Sequence, residues 1–247
     1  ALTKGSDLVG TLTRMEANDV LFIDEIHRLP AAVEEYIYPA MEDCKIDFTL
    51  DTGMHARVVS YSLKPFTLIG ATTRAGLLTG ALRSRFGIVH NLRFYDVGEL
   101  TDILAQAAKK LEGVFVHRDA LQTIASRSRG TPRIALRLLR RVRDYADVRC
   151  DGDFSGEVVN AALSLEGIDE VGMDALDRAY METITNIYEG GPVGVEAVAA
   201  SMGEDAGTLQ DVVEPYLLQA GFLARTRQGR QITPKGLEWL KIGKNSP

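Results

Sequence analysis

Four apolar residues in a row, Val20-Leu21-Phe22-Ile23, run directly into two adjacent carboxylates, Asp24 and Glu25. Such a run suits a strand buried on both faces of a parallel sheet, and ligands of α/β sheets gather at the carboxyl ends of strands. The pair then stands where a nucleotide and its magnesium would sit. Asp24 suits the magnesium shell, through water, and Glu25 suits polarising the water that attacks a γ-phosphate. Read alone, the string is equally an apolar strand emerging into solvent. A second apolar run, Phe66-Thr67-Leu68-Ile69, is followed after Gly70 by Ala71-Thr72-Thr73-Arg74. A hydroxyl at that neighbouring strand end, Thr73 above all, can hold the attacking water or a phosphate oxygen, although threonines there also serve turns and helix caps.

Arginines form the complementary set. Arg83 and Arg85, in Leu82-Arg83-Ser84-Arg85-Phe86-Gly87, could stabilise charge on a transferring phosphoryl group, in a ring even in a neighbour's site; a surface ion pair is the plainer alternative. In Gly130-Thr131-Pro132-Arg133, Thr131 as N-cap and Pro132 as first helical residue mark a helix start. Arg133 then lies near the positive end of that helix dipole, which is tolerable if it reaches an anion such as phosphate. Arg137, Arg140 and Arg141 continue one face of the helix and fit a solvated surface. Near the end of the chain, Gly221-Phe222-Leu223 leads into a turn carrying Arg225, Arg227 and Arg230. Cations on a hairpin tip after three helices fit a winged helix that touches DNA phosphates, with a protein-contact module as the alternative.

The elements that must position these residues begin with the two strands above and a third expected at Ile88–Leu92, after a helical stretch beginning near Gly76. A helix after Pro30 presents Val33, Tyr36, Ile37 and Met41 on one face. Ile46, Phe48 and Leu50, then Asp51-Thr52-Gly53, then Val59, Tyr61 and Leu63 predict a β-hairpin inserted into the α/β core. From Asp96 to about Gly167 helical periodicity replaces strands, implying a small helical domain. Gly167–Asp174 has the composition of a linker. Beyond it, helices are expected at Ala175–Tyr188, Val193–Met202 and Thr208–Ala220. The boundaries are set at 1–94, 95–168 and 169–247.

The 247 residues are 45% hydrophobic and 25% charged, values of an ordinary folded protein. The net charge of −6 argues against coating nucleic acid by general positive charge, so any DNA contact must be local. Cys44 and Cys150 are far apart, which suggests neither a disulfide framework nor a zinc site. No apolar run is long enough to cross a bilayer and no signal-peptide pattern opens the chain, so a cytoplasmic location is expected.

The strings LFIDEIHRL, PAMED, FTLIGATTRAG, LRSRFGIV, RGTPRIALRLLRRVRD, GGPVG and EPYLLQAGFL occur together in the order and spacing of the RuvB family of AAA+ ATPases, and the chain resembles that family from near Asp7 to about Thr233. Other AAA+ proteins share the strand-end acids but lack the long arginine-rich string joined to a terminal winged helix. The resemblance implies a partial AAA+ P-loop NTPase core of α/β class with an inserted β-hairpin, a helical lid domain and a C-terminal winged-helix domain. It further implies ATP and Mg2+ as cofactors and an activity in Holliday-junction branch migration. Asp24 and Glu25 are implied as the Walker B pair, Thr73 as sensor 1, Arg85 as an arginine finger and Arg133 as sensor 2. Tyr95, Glu42, Asp43 and Cys44 are implied as nucleotide contacts, and Arg225 and Arg230 as DNA-backbone contacts, with Arg227 beside them. Implied partners are duplex DNA and the junction, RuvA through the hairpin near Ile46–Leu63, RuvC, and further copies in a homohexamer.

No G-x-x-x-x-G-K-[ST] string occurs among the 247 residues; Gly190-Gly191-Pro192-Val193-Gly194 has the glycines but no lysine. In the family that loop precedes the position where this chain begins. The chain alone is therefore expected to bind ATP weakly or not at all and not to hydrolyse it. The rival from another class is a non-catalytic winged-helix DNA-binding regulator on a degenerate NTPase-like scaffold.

Overall fold

The structure is a computed structural model and describes residues 5–49, 58–110 and 116–243. The chain divides into two compact units, Ala1–Asn91 and Leu92–Pro247.

In the first unit, α1 (Gly5–Leu12) buries Leu8 and Leu12. Strand β1 (Val20–Ile23) ends at the two acids. A 3-10 turn, Ile26–Arg28, precedes α2 (Ala31–Asp43), which starts after Pro30 as expected and buries Val33, Ile37 and Ala40 on one face. Strands β2 (Lys45–Thr49) and β3 (Val58–Ser62) pair antiparallel with Ile46 opposite Tyr61, forming the expected hairpin. The predicted Leu50 and Asp51-Thr52-Gly53 turn lies outside the described residues. Strand β4 (Thr67–Gly70) then returns parallel to β1, Val20 against Thr67 and Ile23 against Gly70.

Three expectations fail here. The sheet has two strands among the described residues, so only one face is covered: Ile23 packs into the core, whereas Val20, Ile69 and Phe22, the last 58% exposed, face outward. Ile88–Leu92 forms no strand and is exposed, because among the described residues no strand pairs with it. Strand-type side chains do not make a strand without a partner edge. The helix expected near Gly76 is also displaced: a 3-10 turn, Ala75–Leu77, precedes α3 (Gly80–Arg85), whose start is fixed by Thr79 Oγ1 accepting the Leu82 amide at 3.1 Å.

The second unit contains two apolar cores. The first is built by α4 (Val97–Ala108), α5 (Arg118–Ser126), α6 (Pro132–Arg149) and α7 (Gly156–Leu165), around Leu104, Ile124, Leu138 and Val142. An Asp96–Glu99 capping box starts α4. The second core is built by α8 (Ala175–Ile187), α9 (Val195–Met202), α10 (Ala206–Thr208), α11 (Glu214–Gln219), a hairpin of β5 (Leu223–Thr226) and β6 (Gly229–Ile232), and α12 (Pro234–Gly243). This is a winged helix. Between α10 and α11 the helix widens into a π-helical turn, Leu209–Val213.

The segment Gly167–Asp174, expected to be a linker, is instead packed. Ile168 belongs to the first core and Met173, fully buried, to the second. Asp169 accepts the amides of Val171 and Met173 at 3.0 and 2.8 Å and the Trp239 indole N–H at 3.2 Å. Glycines and acids here make a buttressed corner.

Candidate functional site

The site grows from the register of β1 on β4. Ala71 donates its amide to the Ile23 carbonyl, and Ile26 donates to the Ala71 carbonyl, each at 2.9 Å, so the ladder continues past both strand ends. That continuation carries Asp24 and Glu25 alongside Thr72 and Thr73. Glu25 has φ 48° and ψ 49°, a left-handed conformation that a side chain adopts only at a cost. The turn is held because Glu25 is engaged on several sides. The Thr73 amide donates to Oε2 at 3.2 Å, and the Thr73 hydroxyl lies 3.2 Å from both carboxylate oxygens. Asp24 Oδ1 accepts the Glu25 amide at 3.0 Å while its carboxylate remains exposed.

His27 was not singled out by the sequence, yet it closes this cluster. Its Nδ1 lies 3.2 Å from Glu25 Oε2 and 2.8 Å from Thr72 Oγ1, with the ring largely buried. Only its place two residues beyond Glu25 hinted at this, because the 3-10 turn that brings it back depends on Ile26 bonding to Ala71. The Thr73 amide, followed by smaller contributions from the Thr73 hydroxyl, His27 and Arg28, holds the Glu25 carboxyl below its ordinary range. The strand end thus presents an ionised, oriented carboxylate next to a hydroxyl, able to accept a proton from water or align it.

Arg85, the last residue of α3, is folded back onto its own unit. Its Nη1 donates to the Ala81 carbonyl at 2.7 Å, and its Nη2 lies 3.1 Å from Glu42 Oε1. The guanidinium carbon stands 4.4 Å from the centre of the Tyr38 ring, and Nε is buried without a partner among the described residues. Tyr38 is fixed in turn, donating to Glu34 Oε2 at 2.5 Å, and Thr79 donates to the same oxygen at 2.9 Å. Burial and the bond to Glu34 raise the Tyr38 pKa. Glu42 is therefore Arg85's ion-pair partner here, and Asp43 is exposed beside it. Cys44, left-handed at φ 51°, ends α2 and lines a 330 Å3 cavity with Arg85, Met41, Phe66 and Leu68.

Tyr95 and Arg133 belong to the second unit, where the backbone of Tyr95 meets that of Gly130, three residues before Arg133. The Tyr95 amide donates to the Gly130 carbonyl at 2.9 Å, and both side chains are exposed. Gly130 has φ +66°, and a Cβ there would lie 2.7 Å from that of Phe94, so the contact requires glycine. Pro132 is the first residue of α6 as expected, but the Thr131 hydroxyl makes no cap bond and instead donates to the Arg129 carbonyl at 3.3 Å.

In the wing, Arg225 is 54% exposed and Arg227 is exposed. Arg230, expected at the DNA-facing surface, is turned inward, with its side chain 11% exposed and Nε 2.7 Å from Glu214 Oε1. The alternation of β6 sets this bearing, because Arg230 shares the buried face with Ile232. Tyr180 donates to the same Glu214 oxygen at 2.7 Å, and its own pKa is raised, by burial first and then by Glu214.

Residues 1–92 match the family model described as the Holliday junction DNA helicase RuvB P-loop domain, 95–169 the RuvB AAA lid domain, and 170–241 the RuvB C-terminal winged helix domain. The Holliday junction branch migration complex subunit RuvB of Myxococcus xanthus is 53% identical over 241 residues, covering 98% of this chain and 70% of that protein. Among solved structures, the Thermotoga maritima RuvB Holliday junction branch migration motor superposes with a TM-score of 0.85 at 50% identity, covering 97% of this chain and 75% of that one. A point mutant of the T. maritima protein reaches 0.88 at 49% identity, covering 98% and 76%. With an acid-bearing strand end, a helical lid and a winged helix in matching order, the chain belongs to the RuvB family.

Proposed function

We infer that this chain is a subunit of an ATP-driven motor that migrates Holliday junctions, the role named for its Myxococcus relative and for the Thermotoga motor. The observation that carries this reading is the convergence of the Thr73 amide and hydroxyl, from the end of β4, on the Glu25 carboxylate at the end of β1. In this assignment Glu25 aligns and deprotonates the attacking water, and Thr73 holds Glu25 in place. Asp24 is a hard oxygen donor standing exposed beside it, and a single carboxylate plus phosphate oxygens suits magnesium. Bound there, the ion would neutralise charge building on the phosphates.

Arg85 is assigned to the nucleotide of an adjoining copy in a homohexamer. Its weakly anchored Nε and its ion pair to the half-exposed Glu42 support an arginine that can be drawn away. Tyr95 and Arg133 are assigned to the nucleotide from the lid, and Glu42, Asp43 and Cys44 to its periphery. Arg225 and Arg227 are assigned to the DNA backbone, and the β2–β3 hairpin to RuvA, with RuvC acting on the same junction in the cytoplasm. No helix among the described residues is long and apolar enough to cross a membrane.

The test is migration of a synthetic four-way junction by the intact protein with RuvA. Strand exchange should require ATP and stop with a non-hydrolysable analogue; equal rates with both would reject the motor.

A further inference from the structure

The loop between α5 and α6 faces two ways. On one side, Gly130 packs on Phe94 and Tyr95, and three residues later Arg133 stands exposed. On the other side, Arg129, itself left-handed at φ 54°, directs its side chain, 9% exposed, into the winged helix. Its Nε donates to the Gly172 carbonyl at 2.7 Å, and its Nη2 lies 2.8 Å from Asp174 Oδ2 and 2.5 Å from Asp177 Oδ2. The guanidinium carbon is 5.3 Å from the centre of the Tyr216 ring. Asp174 and Asp177 together form the capping box that starts α8, so the arginine grips the first turn of the winged helix. Alongside, a Cβ on Gly172 would meet the Arg127 carbonyl oxygen at 2.7 Å, which keeps the two segments in backbone contact.

A buried ion pair is weak evidence for stability, since desolvation offsets its attraction, but a planar fork with several fixed acceptors does define an orientation. We propose that Arg129 is a positioning residue that locks the lid and the winged helix into one body, so that displacement of the Tyr95–Arg133 turn is delivered to Arg225 and Arg227 as a rigid-body motion. This rests on the assignment of Arg133 to the nucleotide and of the wing to DNA.

Trp239 is the sole tryptophan of the 247 residues and bonds to Asp169 at the junction. Its time-resolved anisotropy should therefore follow the tumbling of the whole second unit. In Arg129→Lys, which keeps the charge but loses the fork, a faster component should appear. In the intact protein this variant should keep basal ATP turnover and duplex affinity but lose DNA-stimulated turnover and junction migration by about tenfold. Should the variant fail to fold, Asp177→Asn carries the same expectations. Unchanged anisotropy in the folded variants, or a faster component with undiminished DNA stimulation, would overturn the proposal. An Arg133→Ala protein with unaltered nucleotide affinity and turnover would instead sink the functional assignment, whatever the anisotropy shows.

Discussion

The guanidinium of Arg230 donates to both oxygens of the Glu214 carboxylate, at 2.7 and 3.3 Å, with both side chains withdrawn from solvent. Removing one partner of a buried pair strands the other, so Arg230→Ala should cost about 3–5 kcal/mol of winged-helix stability. Arg225, more exposed and only 4.0 Å from Glu214 Oε2, makes the weaker pair, and Arg225→Ala should cost less than about 1 kcal/mol. Urea unfolding of the 247-residue chain separates the two. Equal midpoints would show that Glu214 does not need its partner.

The exposed arginines should instead register in the salt dependence of DNA binding. Arg225→Ala and Arg227→Ala are each expected to weaken duplex binding across all sequences and to reduce the slope of log K against log salt by roughly one. Fluorescence anisotropy titrations at several salt concentrations measure this.

At the strand ends, Glu25→Gln should lower ATP turnover of the intact protein by at least about 100-fold while nucleotide affinity is retained. Thr73→Val removes the hydroxyl but not the amide that holds Glu25, so its loss should be smaller, about tenfold. A ranking in which Thr73→Val is the more damaging would mean the hydroxyl acts on the nucleotide directly rather than through Glu25.

Arg85→Ala should abolish turnover and spare nucleotide binding, with a loss of about 1,000-fold. Because the finger is assigned in trans, mixing Arg85→Ala subunits with Glu25→Gln subunits should restore turnover at those interfaces where a wild-type Arg85 meets a wild-type Glu25. A mixture as inactive as either parent would reject the action across the interface.

Burial pushes the Asp177 carboxyl up to about 6, while at Asp174 the Asp177 amide and Arg129 outweigh burial and hold the pKa below its usual value. Asp177 therefore takes up a proton on folding between its ordinary 3.8 and about 6. From this group alone, stability falls as pH rises through that window and levels off above it. Asp174 acts oppositely: its contribution is present above its ordinary value and is lost as pH falls through its lower folded one. Asp177→Asn should thus gain on the wild type by about 2 kcal/mol between pH 4 and 7. Thermal midpoints of both proteins across that range supply the comparison; parallel curves would contradict it.

Much of this molecule can be traced to local pattern. The acids of β1, Thr73 and the start of α6 at Pro132 were legible because apolar runs, hydroxyls and proline punctuate the chain within a few residues. Ile88–Leu92 was misread for a physical reason: side-chain type reports a preference for strand, whereas a ladder needs a neighbour. The inward bearing of Arg230 is legible in β6, since counting two residues to Ile232 puts both on the inner face. Arg129 passed unnoticed because its partners lie at positions 172, 174, 177 and 216, separations that no periodicity spans. His27 was hidden likewise, since its partner Thr72 lies beyond the end of β4, 45 residues along the chain.

The wide turn at Leu209–Val213 sets a phase. A π-helical turn accommodates one residue more than an α-helical one, which rotates everything after it by roughly 100° about the axis. Glu214 begins the next turn and owes its inward bearing to that offset. Winding the same residues as an even α-helix would swing this carboxylate away from Tyr180 and β6, whereas deleting one residue between 209 and 213 would remove the wide turn and leave its bearing unchanged. A single-residue deletion in that stretch should therefore be better tolerated than a single-residue insertion, which would carry Glu214 roughly 100° further round the axis.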